Sequence, residues 1–196
     1  MGKENFKNAI ALTGGIATGK STVCNLLRLH GFLTIDADVI AHKLLDQYSG
    51  DIANMFGAQY VKEGKVQRKE LGKIIFTDES QKKKLEAFIH PLIKDDIVKE
   101  AAIFEKANKP YLIDIPLFFE TMNYDIDKSL VVYTPSDIQC QRLMKRDKIE
   151  ESEARVKMSN QMDIEKKKSL ADFCIDNSTT LKNLQNEIER VIGEIL

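Results

Sequence analysis

Residues Gly14-Gly15-Ile16-Ala17-Thr18-Gly19-Lys20-Ser21 fill every fixed position of the phosphate-holding pattern G-x-x-x-x-G-K-[ST]. The chemistry such a loop performs is capture of a nucleotide's phosphates. Backbone N–H groups wrap the oxygens, and the following helix adds its positive end. Lys20 would reach the β- and γ-phosphates, and the Ser21 hydroxyl would hold Mg²⁺, which makes a nucleoside triphosphate with Mg²⁺ the expected ligand pair. Gly15, Ile16, Ala17, Thr18, Gly19, Lys20, Ser21 and Thr22 together form the expected nucleotide-binding stretch. The bland alternative is a glycine turn that opens a helix and binds nothing.

Three further groups could act with that loop. Asp36-Ala37-Asp38 directly follows an apolar segment. Ligands of open parallel sheets bind beyond the carboxyl ends of strands, so this pair is expected on the same edge as the loop. Phosphoryl transfer to a hydroxyl needs a carboxylate to accept or orient its proton, and Asp38 is favoured for that role. Asp38 could also reach the metal through water, or simply cap the helix that begins Val39-Ile40-Ala41. Tyr111-Leu112-Ile113-Asp114 is an apolar strand ending in a carboxylate, so Asp114 is a candidate for Mg²⁺, directly or via water, against a turn or cap role. Arg142 and Arg146 stand four apart and share a helix face. They suit a lid that neutralises transferring charge, or else an ordinary exposed face paired with Asp137, Asp147 or Glu150.

Weaker signals surround these. Ile115-Pro116-Leu117-Phe118-Phe119-Glu120 would expose apolar groups at the same edge, to pack on an acceptor or on neighbouring helices. Glu120 reads equally well as a structural ion-pair partner. His90 has no partner at metal-binding spacing and reads as a helix-boundary histidine, while Arg68 could pair with a phosphate or a nearby acid.

The elements that must position these residues are legible. Five short, nearly continuous apolar runs read as strands buried on both faces: 10–13, 32–35, 111–115, 130–134 and 173–175. Helical patterns lie between them, which predicts a parallel sheet flanked by helices. Gly31 is placed to stop the helix that carries Val23, Leu26, Leu27 and Leu29. Residues 39–109 are too long for one crossover and read as a mostly helical insertion. Phe56-Gly57 and Glu63-Gly64-Lys65 mark turns there, helices are expected over 69–76 and 80–89, and another begins at Pro91. Residues 136–170 read as a polar, mobile helical hairpin with little core of its own.

Bulk properties exclude several classes. The chain has 196 residues, 43% hydrophobic and 30% charged, with net charge −1, so no global basic field attracts nucleic acid. No apolar run approaches the roughly 20 residues of a membrane span. The polar start, Met1 to Asn8, has no apolar signal core, so cytoplasm is expected. Cys24, Cys140 and Cys174 are odd in number and scattered, so neither disulfide nor zinc is expected. Cys24 and Cys174 read as core thiols and Cys140 as exposed.

Taken in order, Ala11-Leu12-Thr13-Gly14-Gly15-Ile16 with Gly19-Lys20-Ser21-Thr22, then Ile35-Asp36-Ala37-Asp38-Val39-Ile40-Ala41, resemble the bacterial dephospho-coenzyme A kinases. His90-Pro91-Leu92-Ile93, Asp114-Ile115-Pro116-Leu117-Phe118-Phe119-Glu120 and Ala171-Asp172-Phe173-Cys174-Ile175-Asp176-Asn177 continue the match to the end of the chain. The resemblance implies ATP-dependent phosphorylation of the ribose 3′-hydroxyl of dephospho-CoA. It implies an α/β P-loop NTPase-like fold, with a five-stranded core over about 8–38, 110–135 and 171–196, an acceptor-side helical subdomain over 39–109 and a lid over 136–170, as one domain from residue 8 to 196. Asp38 takes the place of the base, Thr13 lies at the nucleotide–acceptor boundary, and Arg142 and Arg146 fall in the lid. Arg68, His90, Leu117 and Phe118 fall on the acceptor side and Asn177 near the adenine-side loop.

Three positions depart from the family pattern. Ala17 and Thr18 stand where it has Gly and Ser, and Thr179 where it often has Gly. If position 17 needs a left-handed backbone, Ala is strained there; if it does not, Ala changes little, and the loop is expected to tolerate it. The implied partners are dephospho-CoA and ATP, with no nucleic acid and no membrane; the chain reads as a monomer, weak self-association being the alternative. Two other functions compete: a nucleoside monophosphate kinase-like enzyme and a non-catalytic nucleotide switch. A Ras-type switch would need Asn-Lys-x-Asp, and the nearest string, Asn108-Lys109-Pro110-Tyr111, lacks the Asp.

Overall fold

The computed structural model describes residues 6–121 and 124–196. The first five residues of the polar start therefore lie outside the described part. The chain forms two compact units, one of residues up to Ile35 with Ala101–Leu196, the other Asp36–Glu100.

The first unit is built on five strands: β1 (Ala9–Gly14), β2 (Thr34–Asp36), β5 (Tyr111–Asp114), β6 (Lys128–Tyr133) and β7 (Phe173–Asp176), in the order β2-β5-β1-β6-β7. All five are the expected strands, within two residues at each end. β1 is buried along its whole length and pairs in parallel with both β5 and β6. That central position explains its unbroken apolar run: a strand covered on both faces has no polar side to alternate with. Helix α1 (Lys20–Leu29) and helix α10 (Leu181–Ile195) pack on the sheet. The buried Val23, Cys24 and Leu27 of α1 meet Leu184, Ile188, Val191 and Ile195 of α10 in one core with Ile10, Leu12, Leu130 and Ile175. Gly31 follows α1 at φ 90, and its N–H bonds the Arg28 carbonyl, so the helix stops where a left-handed glycine was expected.

The second unit holds α2 (Ala37–Gln47), α3 (Ser49–Phe56), a short 3₁₀ turn (Ala58–Tyr60), strands β3 (Val61–Lys62) and β4 (Lys65–Val66), α4 (Arg68–Thr77) and most of α5 (Glu79–Glu105). Its core is Ile52, Val66 and Leu71, with Leu85 and Phe88 of α5 against it. Glu63 and Gly64 both have positive φ, 52 and 73, as the two-residue turn of the tight β3–β4 hairpin requires. The turn signal was legible; strands of two residues each were not.

One expectation fails here. His90-Pro91 is not a boundary between two helices: α5 runs unbroken from Glu79 to Glu105 with Pro91 inside it. Proline removes the N–H that would bond the Ala87 carbonyl. Tertiary packing overrides that loss, because Ile89, Ile93, Ile97 and Ala101 repeat every four residues through the proline and all are buried. His90 is accordingly an exposed mid-helix residue.

Residues 136–170 also differ from the expected hairpin. They form three helices, α7 (Ser136–Asp147), α8 (Glu151–Ser159) and α9 (Ile164–Leu170). They carry their own anchors: Cys140, Leu143 and Ala154 are buried together, with Ile16 and Ala17 of the glycine loop packed against them. Cys140 is thus buried rather than exposed. Its helix face is polar in sequence, but the facing helix α8 covers it. Helix α6 (Phe118–Thr121) is a single turn after β5.

Candidate active site

The glycine loop joins β1 to α1. Ala17 has φ 60 and Gly19 φ 87, two left-handed residues in a three-residue span. Backbones that alternate in this way turn successive N–H groups into one concavity suited to an anion. At Gly19 the need for glycine is double, since a Cβ there would lie 2.1 Å from Asn177 Nδ2. Ala17 tolerates the same region at a cost on the order of 1 kcal/mol for an L-residue. Thr22 and Val23 N–H groups bond the Gly19 carbonyl. By helix geometry the Lys20 and Ser21 N–H groups before them have no intrahelical acceptor.

The loop is braced on every side. The buried Thr18 donates its hydroxyl to the Gly15 carbonyl at 2.9 Å. Asn177, just past β7, donates from Nδ2 to the Thr18 carbonyl at 2.8 Å. Gln161, between α8 and α9, accepts the Ile16 N–H at 2.7 Å. The buried Gln139 of α7 donates to the Thr134 carbonyl at 2.7 Å and would meet any Cβ at Gly15. A cavity of about 240 Å³ opens beside Gly15 and Ile16, walled by α7 to α9 through Ser136, Gln139, Arg155 and Gln161.

Lys20 and Asp114 form an ion pair. Asp114 ends β5 beside β1, and both side chains are mostly shielded, at 18% and 8% exposure. The pair brings the loop lysine and the strand-end carboxylate together, a contact that their sequence positions did not announce. Thr13, fully buried, donates its hydroxyl to the Pro116 carbonyl at 2.9 Å. Leu117 is exposed, whereas Phe118 is buried edge-to-face against Phe119. The Ile115–Glu120 segment therefore presents less apolar surface than expected.

Arg142 and Arg146 do share a face of α7, but their partners differ. Arg142 donates to the Asn177 carbonyl at 2.9 Å and to Thr134 Oγ1 at 3.3 Å, drawing α7 against the ends of β6 and β7. Arg146 is exposed and donates to Asp147 at 2.7 Å.

In the second unit, Asp36 is the N-cap of α2, accepting the Val39 N–H at 3.0 Å. That settles which carboxylate caps: Asp38 lies in the first helical turn, exposed. Arg68 opens α4 and pairs with Asp46 at 3.4 Å, the nearby-acid alternative.

Several site residues gave no sequence signal. Lys167 of α9 is wholly buried and pairs with Glu120 at 2.8 Å, so Glu120 is an ion-pair partner. Within Lys166-Lys167-Lys168 it reads as one more solvated charge. The clue was its place three residues after Ile164, on the face that α9 buries. Gln139, Gln161 and Thr134 are single polar residues whose roles depend on distant partners.

Against known proteins, a family model described as dephospho-CoA kinase matches residues 8–183. The chain is 48% identical over 190 residues to a dephospho-CoA kinase of Sulfurimonas denitrificans, covering 97% of this chain and 95% of the relative. It is 43% identical over 194 residues to one of Helicobacter pylori J99, covering 97% and 99%. Among solved structures, the dephospho-CoA kinase from Campylobacter jejuni superposes with TM-score 0.70 at 38% identity, covering 96% of this chain and 97% of that one. TT1252 from Thermus thermophilus gives TM-score 0.81 at 28% identity, with the same coverage.

Proposed function

This chain belongs to the dephospho-CoA kinase family, and we propose that its glycine loop holds the ATP phosphates while Asp38 takes the proton of the acceptor hydroxyl. The activity of this family is ATP-dependent phosphorylation of dephospho-CoA. The observation that carries the assignment of roles is the loop itself: two left-handed residues, an orphaned helix start and the Lys20–Asp114 pair meet at one point.

In this reading the acceptor's ribose 3′-oxygen forms a bond to the γ-phosphorus as the bond to the ADP oxygen breaks. The hydroxyl proton passes to the Asp38 carboxylate. Asp38 is suited to this because Asp36 has taken the capping role and Asp38 remains solvent-accessible. Lys20 exchanges Asp114 for phosphate oxygens as the nucleotide enters. Arg142 has spent two of its five N–H donors on Thr134 and Asn177, so three remain for phosphate charge. Arg146 would exchange Asp147 for the same purpose.

The oxygen donors fit Mg²⁺. Ser21 offers an exposed hydroxyl in the first turn of α1 and Asp114 a carboxylate at the end of β5. Among the described residues no group of three or more His, Cys, Asp or Glu converges on a metal site. Such a thin protein donor set suits an ion bound chiefly by phosphates and water. Bound there, Mg²⁺ would neutralise charge on the transferring phosphates.

The second unit, with Arg68 and His90, is read as the acceptor side, together with Thr13, Leu117 and Phe118 of the first. Helices α7 to α9 are read as the lid and Asn177 as an adenine-side contact. The working enzyme is a cytoplasmic monomer in this reading. Asp38→Asn tests the central role: kcat should fall by about 10²- to 10⁴-fold, with the KM for ATP within about threefold of wild type. Near-normal turnover would remove Asp38 from the mechanism. Lys20→Ala should abolish both ATP use and turnover, and intact activity would remove the loop.

A further inference from the structure

Lys167 is the one lysine with no exposed surface among the described residues. Its ammonium has three protons, and three acceptors surround it: the Gly14 carbonyl at 3.0 Å, the Pro116 carbonyl at 3.2 Å and Glu120 Oε1 at 2.8 Å. Every donor is therefore used, and nothing remains for a phosphate. The same Glu120 oxygen accepts the Met162 N–H at 2.9 Å, while its other oxygen is buried without a hydrogen-bond partner among the described residues.

The two carbonyls are not arbitrary. Gly14 is the last residue of β1 and the first of the glycine loop. Pro116 lies two residues beyond Asp114 and also accepts the Thr13 hydroxyl. Lys20 and Asp114 bridge the same two segments. Side chains thus tie the ends of β1 and β5 three times: by Lys20–Asp114, which in the proposed reading parts when phosphate arrives, and by Thr13 and Lys167, which need not part.

We infer that Lys167 is a positioning residue for phosphoryl transfer: its buried ammonium, fixed by Glu120, ties α9 to the Gly14 and Pro116 carbonyls and holds the glycine loop at a set distance from the end of β5. Burying a lysine–glutamate pair is a weak way to gain stability, since apolar or neutral replacements of both partners are often tolerated. The pair earns its place by geometry. When Lys20 releases Asp114, the Lys167 tie keeps the loop from drifting. A shift of about 1 Å at a reacting centre can cost on the order of 100-fold in rate.

The inference rests on the loop holding ATP, so Lys20→Ala runs in the same assay; full activity there would fail that reading rather than this one. The informative variant is the double replacement Lys167→Met with Glu120→Gln. It removes both charges, leaves no buried ion unpaired, and keeps an acceptor for the Met162 N–H. The expected result is a folded protein with a Tm within a few degrees of wild type, kcat lowered about 10- to 100-fold and the KM for dephospho-CoA changed less than about threefold. The single variant Lys167→Met should show the same kcat with a lower Tm, because it strands the Glu120 carboxylate. A folded double variant with kcat within about threefold of wild type would overturn the inference. So would a double variant that fails to fold, which would make the pair a structural tie only.

Discussion

At the residue scale, Ala17 is the most exposed wager in the chain. Its φ of 60 is the conformation that glycine adopts freely and alanine does not. Its methyl is nevertheless packed beside Cys140, Leu143 and Ala154, so part of the strain is offset. Ala17→Gly should therefore stabilise the fold by about 0.5–1 kcal/mol net, the left-handed penalty less a half-buried methyl. Thermal unfolding checks this: Tm should rise by about 1–4 °C, and a fall would show that methyl packing outweighs backbone strain. What was legible at this scale was placement written in fixed local spacing: Gly19, Lys20 and Ser21 at the start of α1. Asp114 was legible because a strand announces its own end. Lys167 was not, because its partners Gly14, Pro116 and Glu120 are remote in sequence and a lysine among lysines looks solvated. Cys140 was misjudged for the same reason: burial of a polar-looking face is decided by the helix opposite.

At the element scale, α5 shows how tertiary packing corrects a local rule. Pro91 is a break by local criteria, and the buried series Ile89, Ile93, Ile97 and Ala101 carries the helix through it. Pro91→Ala should restore a backbone donor to the Ala87 carbonyl. The expected gain is about 2–2.5 kcal/mol, the interior proline penalty less the unfolded-state entropy that proline removes. A raised Tm with unchanged turnover would support this, and a lowered Tm would show that α5 needs the distortion. The five sheet strands were readable because strands buried on both faces are unbroken apolar runs between helical stretches. The β3–β4 hairpin was readable only at its turn, since two-residue strands carry no period. Helices α7 to α9 were misjudged as one hairpin, because their anchors Leu143, Ala154 and Ile164 are too sparse to show where one helix ends and the next begins.

At the scale of the whole molecule, composition set useful bounds. A net charge of −1 gives no global basic field, and no described helix is long and apolar enough to cross a membrane. Two compact units emerge, with the phosphate loop in one and Asp38, Arg68 and His90 in the other. The direct test is acceptor-dependent ADP release, with dephospho-CoA run beside a panel of nucleoside monophosphates and the product's phosphate located by NMR. The account predicts one ADP per dephospho-CoA consumed, with the new phosphate on the ribose 3′-oxygen and little turnover of the monophosphates. Equal or faster turnover of a nucleoside monophosphate, or ADP release that no acceptor stimulates, would contradict it.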